Sequence, residues 1–173
     1  MTLPLLLIAL LMLLVPSEPV FAGEGEYQVK AAMLYNFAKF VEWPTESLPG
    51  DSRITFCIAG KTPLNGSIQP MQGKPVKGRT VSIRQINRSE DVASCQILFI
   101  PQTEQARMSA YLQQAALNSI LTVSDLERFT ASGGMIGFFV EENKVRFEIN
   151  LEAAQKRRLQ ISSHLLNLAR RNR

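Results

Sequence analysis

One histidine, His164, and two cysteines, Cys57 and Cys95, are the only imidazole and thiol groups in 173 residues. A structural zinc site needs about four such donors brought together, so no metal site is expected. Nucleophilic catalysis is equally short of parts. No Gly-x-Ser-x-Gly or His-Glu-x-x-His element occurs, and His164 could join a triad only with distant partners that the sequence does not identify. Asp51, Asp91 and Glu104 show no paired spacing suited to acid/base work. The chain therefore reads as a non-enzyme without a cofactor. Gly60-Lys61-Thr62 invites a phosphate-loop reading, but Thr55 stands where that loop needs its first glycine, and Pro63 follows directly. A turn leading from strand to helix is the simpler account. Charge is also sparse, at a formal +4. The positive runs come late, as Lys156-Arg157-Arg158 and Arg170-Arg171-Arg173, with no aromatic platform between them. They suit a solvated face, an acidic partner or anionic lipid better than nucleic acid.

Long apolar runs are confined to the beginning. Thr2 to Val15 is apolar apart from Pro4, and Val20-Phe21-Ala22 precedes Gly23. This pattern predicts an export leader over 1–22, cut after Ala22, and a periplasmic location. The run is shorter than the roughly 20 residues that span a bilayer comfortably. No Lys or Arg precedes it, so an uncleaved anchor is the alternative. Residues 23–173 suffice for one domain with its own core.

Within that domain, Tyr27 to Pro44 carries Val29, Met33, Leu34, Phe37, Phe40 and Val41 on one side of a helix, and Trp43-Pro44 stops it. Strands are predicted over 53–59, 80–86, 95–100 and 120–123, with helices over 62–71 and 104–117 between them. Ser124-Asp125 is expected to cap a further short helix. Alternation of this kind predicts an α/β fold, a single-domain layered sandwich whose largely parallel sheet has helices on both faces. The end of the sheet departs from the pattern. Met135 to Val140 and Val145 to Ile149 read as an antiparallel hairpin turning at Glu142-Asn143. Val140 then faces Val145, Phe138 faces Phe147 and Ile136 faces Ile149, all six toward the core. Phe139, Arg146 and Glu148 share the opposite face. An aromatic beside two opposite charges suits partner contact; the alternative is a covering helix with Arg146 and Glu148 merely paired. Asn150 is placed as the cap of a helix over 151–157, and Ser162 or Ser163 as the cap of a last one. Cys57 and Cys95, both in expected strands, are either a bridge or two small buried hydrophobes.

The wording of Tyr27–Pro44 resembles the opening of the YfiR/HmsC-like family of exported bacterial regulators. Gly78-Arg-Thr-Val-Ser-Ile83, Cys95-Gln-Ile-Leu-Phe-Ile-Pro101, Ile120-Leu-Thr-Val-Ser-Asp125, Gly133-Gly-Met-Ile-Gly137, Val145-Arg-Phe-Glu-Ile-Asn150 and Ile161-Ser-Ser-His-Leu-Leu166 continue the likeness in order. The resemblance implies a compact periplasmic α/β protein that represses a membrane-anchored diguanylate cyclase by engaging its periplasmic portion, lowering cyclic di-GMP and biofilm formation. It also favours a Cys57–Cys95 disulfide. A second cysteine pair, found in the family around the hairpin, has no counterpart between Gly137 and Ile149, and Arg158 stands where glycine is frequent. A soluble accessory subunit of another envelope sensor, a homodimer, and a ligand-binding subunit using the cleft near Gly60 and Pro101 are the alternatives.

Overall fold

The computed structural model describes residues 22–170. The expected leader lies outside them except for its last residue. Helix α1 (Ala22–Phe40) is followed by a two-residue strand β1 (Val41–Glu42) and then β2 (Arg53–Ala59). The chain continues through α2 (Leu64–Ser67), β3 (Pro75–Val76), β4 (Arg79–Ile86), β5 (Ile97–Ile100), α3 (Met108–Ala116) and β6 (Leu121–Ser124). It closes with β7 (Ile136–Glu141), β8 (Lys144–Ile149), α4 (Leu151–Lys156), β9 (Gln160–Ile161) and α5 (Ser163–Leu168). The main sheet has the order β3-β4-β2-β5-β6-β7-β8, and β1 pairs with β9 apart from it. Strands β4, β2, β5, β6 and β7 run parallel, while β3 and β8 are antiparallel edges.

Alternate strand residues feed two cores. Phe56, Ile58, Ile97, Phe99, Leu121, Val123 and Phe138 pack on the α1 side. Cys57, Ala59, Leu98, Ile100, Tyr111 and Phe129 pack on the α3 side. A strand buried on both faces must be apolar throughout, which is why 97–100 shows no alternation. Helix α1 turns Lys30, Ala31, Leu34, Phe37 and Ala38 inward, followed by Val41 of β1, so its buried face is rotated from the expected one. The methyl groups of Ala31 and Ala38 let the backbone approach closely, leaving Val29 exposed and Met33 and Phe40 on the flanks.

Other expectations change in detail. The helix expected over 62–71 splits at Ile68 into α2 and a 3₁₀ turn, Gln69–Met71, which contains Pro70. The one over 104–117 begins as a 3₁₀ segment, Gln102–Arg107. No helix follows Ser124-Asp125. Ser124 Oγ instead accepts from the Leu126 amide at 3.0 Å, and the chain continues in turns. Cys95 precedes β5, its amide closing a 3₁₀ segment on the Val92 carbonyl, yet it is joined to Cys57 with the two Cα atoms 5.8 Å apart.

Asn150 and Ser162 cap their helices, accepting from Ala153 at 3.0 Å and Leu165 at 3.2 Å. At the other end of α4, Arg158 takes φ +58°. Its amide bonds the Gln155 carbonyl at 2.9 Å, and the Leu159 amide bonds Ala154 at 3.1 Å. This is a Schellman ending, whose left-handed residue is normally glycine. Since a side chain in that conformation costs about 1 kcal/mol, Arg158→Gly is expected to be about that much more stable than Arg158→Ala. Urea titration of both variants cancels the shared loss of the Arg158–Glu46 ion pair and checks the difference.

Candidate functional site

The hairpin turns through Glu142 and Asn143 at φ +50° and +56°, a type I′ geometry whose twist matches the flanking strands. The register is the expected one, with Phe139 opposite Arg146 and Gly137 opposite Glu148. Ile136, Phe138 and Phe147 are buried, Val145 and Ile149 half-buried. Val140 is 54% exposed, because the tip runs past the end of the core; it does not face inward as expected.

Phe139, Arg146 and Glu148 lie on the opposite face, and two other segments reach them. Thr130, in the loop after β6, hydrogen-bonds Glu148 Oε1, and its carbonyl is held by Asn150 Nδ2 at 2.9 Å. Arg170 comes from beyond α5. Its amide donates to the Phe147 carbonyl at 2.9 Å, and its Nη2 meets Glu148 Oε2 at 2.8 Å. Its guanidinium carbon sits 3.8 Å from the Phe139 ring centroid, a stacked cation–π contact. Glu148 therefore pairs with Arg170 and not with Arg146, which is exposed and makes no ion pair among the described residues. Burial pushes the Glu148 carboxyl upward, but the Thr130 and Arg170 hydrogen bonds outweigh it and hold the group below the usual carboxylate range.

Phe139, Glu148 and Arg170 also wall a cavity of about 480 Å³ beside the carboxyl ends of β5 to β7. Its opposite wall is Lys30 of α1 with Asp125. Lys30 is 4% exposed and meets Asp125 at 2.8 Å and Glu26 at 2.5 Å. Asp125 also accepts the Gln102 amide at 3.1 Å, tying the loops after β5 and β6 to α1. The cleft expected near Gly60 and Pro101 is filled instead. Glu104 packs so close to Gly60 (φ +64°) that a Cβ there would sit 2.2 Å from its Oε1. The open space lies nearer to β7.

Arg170 and Lys30 are the residues that sequence reasoning missed. Arg170 had no local signal, since its partners lie 22 residues away or more. Lys30 did have one: it stands in register with Leu34, Phe37 and Val41 on the buried face, where a charge needs a buried partner. Chemically, the ensemble offers a stacked aromatic and opposed charges. Among the described residues, no group of three potential metal ligands comes together, and no helix is long and apolar enough to cross a membrane.

The fold is an α/β one built on a seven-stranded, mostly parallel sheet. The chain belongs to the YfiR/HmsC-like family, whose model matches residues 27–170, a regulatory, non-catalytic group. No curated protein matches the chain. Among solved structures, the ABC domain in complex with L-Trp from Streptococcus pneumonia is similar in fold, with a TM-score of 0.52 at 9% identity. The match covers 83% of this chain and 59% of that one.

Proposed function

We propose that the protein is an exported periplasmic regulator, released from its leader after Ala22, that holds a membrane-anchored diguanylate cyclase inactive through the cyclase's periplasmic portion. The observation that carries this reading is family membership across residues 27–170. The outer face of the hairpin, with Phe139, Arg146 and Glu148, is the contact surface in this reading. It combines an aromatic with opposed charges, and Arg146 is unpaired among the described residues. Deleting the gene in a strain that expresses the cyclase should raise cyclic di-GMP and biofilm formation. Chromosomal Arg146→Glu should do the same while leaving the melting curve in place. Unchanged cyclic di-GMP on deletion would overturn the repressor role.

A second reading, a ligand-binding or accessory subunit of another envelope system, draws on the 480 Å³ cavity at the carboxyl ends of the strands, where open α/β sheets place their ligands. A ligand-induced rise in melting temperature, with cyclic di-GMP unaffected by deletion, would favour it.

A further inference from the structure

Strand β8 is the last strand of the main sheet, and among the described residues its outer edge has no neighbouring strand. Among the described residues only Arg170 pairs there, as a single parallel bridge to Glu148. Around that bridge lies a notch shaped for one kind of side chain. The Phe139 ring forms its floor, Glu148 supplies a carboxylate oxygen, and the Phe147 carbonyl takes the backbone amide of the incoming residue. Thr130 holds Glu148 from behind and is itself held at its carbonyl by Asn150, so the carboxylate is oriented before anything enters. A planar guanidinium can stack on the ring and bond the carboxylate together, which an ammonium cannot. Arg170 does both while remaining 48% exposed at its side chain. Its hold is one backbone bond, one ion pair and one ring contact at the end of the described chain, a set that a competitor can replace rung for rung.

We infer that this notch is an arginine-reading docking site on the edge of β8. The protein's own Arg170 fills it in the free state, and an extended, arginine-bearing segment of a partner protein displaces Arg170 in the complex. The partner strand adds to the open sheet edge, an established mode of peptide recognition, and runs parallel to β8, continuing the pairing that Arg170 begins. The inference rests on the reading of the hairpin as a partner surface, and it names what that surface recognises. The C-terminal segment then acts as an internal competitor that sets the threshold for binding.

The probe is a fluorescein-labelled peptide copying residues 168–173, Leu-Ala-Arg-Arg-Asn-Arg. Its fluorescence anisotropy is read against the full chain and its Arg170→Ala variant. Arg170→Ala should capture the peptide at least ten-fold more tightly than the unaltered protein, because the internal competitor is gone. Changing the peptide's first arginine to alanine should remove that gain, as should adding Phe139→Ala to the protein. Arg170→Lys, which keeps the charge without the planar fork, should also bind the peptide more tightly than the unaltered protein. Melting curves of the variants establish that each is folded before it is scored. Equal capture by Arg170→Ala and the unaltered protein would overturn the inference. So would equal capture of the alanine peptide, which would reduce the site to general charge attraction. The assay contains no cyclase. Peptide capture with unchanged cyclic di-GMP on deletion would retire the cyclase reading and keep the notch, and the opposite pair of results would retire the notch alone.

Discussion

Protein carrying alanine at both Cys57 and Cys95 is expected to lose about 4 kcal/mol of stability, the value the chain-entropy model gives for a loop of this size. The two residues are 38 apart in sequence. At about 2–4 °C per kcal/mol for a domain of this length, the melting temperature should fall by about 10 °C. Both cysteines are buried in the α3-side core, at 0% and 2% exposure, among Leu98, Ile100 and Val92. The bridge therefore ties β2 to the segment entering β5 from inside, beyond the reach of solvent reductant while the domain is folded. Unfolding in urea, followed by fluorescence of Trp43, measures the loss. Mild reductant under native conditions should leave the bridge intact, and thiol counting before and after denaturation checks that. A change below about 1 kcal/mol would show that the reduced chain already holds these segments together, which the entropic account of the bridge does not allow.

Much of this arrangement was legible from residue order, and the reason is locality. The strand Arg53–Ala59 was readable because a run of seven β-compatible residues ends at a glycine with positive φ. The hairpin register was readable because two-residue turns leave only one way to pair the flanking strands. Asn150 and Ser162 act on amides three residues ahead, within reach of any local pattern. The β1–β9 ladder was not readable. It joins Val41 to Ile161 and Glu42 to Gln160, two short segments without periodicity whose pairing depends on where α1 and α4 end. The candidate site divides in the same way. Phe139, Arg146 and Glu148 share a face through the period-two geometry of a hairpin. What lies on that face, Arg170 and Thr130, is decided by the path of loops that carry no such period. Those partners determine the site's chemistry: Arg170 neutralises Glu148 and leaves Arg146 as the exposed charge.

Lys30→Met should be nearly as disruptive as loss of the disulfide. Its ammonium is the shared partner of Asp125 and Glu26, and the Lys30 and Asp125 side chains are only 5% and 7% exposed. Removing one member of a buried ion pair costs about 3–5 kcal/mol, because the remaining charge is left buried without its counterion. The low end applies here, since Asp125 keeps the Gln102 amide at 3.1 Å; about 3 kcal/mol is expected. Adding Asp125→Asn to Lys30→Met should recover part of the loss, and a double-mutant cycle measures the coupling. The lysine also carries a pH signature. Burial alone would lower its pKa, but the hydrogen bonds and charges of Asp125 and Glu26 outweigh burial and hold it above the ordinary lysine value. A basic group whose folded pKa is raised contributes stability fully present below its unfolded pKa of about 10.4. That contribution falls as pH rises through the folded pKa, because the native state holds a proton the unfolded chain has released. Urea titrations at pH 8 and pH 11 should thus show a smaller difference between wild type and Lys30→Met at the higher pH. A difference that stays constant, or grows, would mean that Lys30 holds the loops after β5 and β6 by packing alone and not by charge.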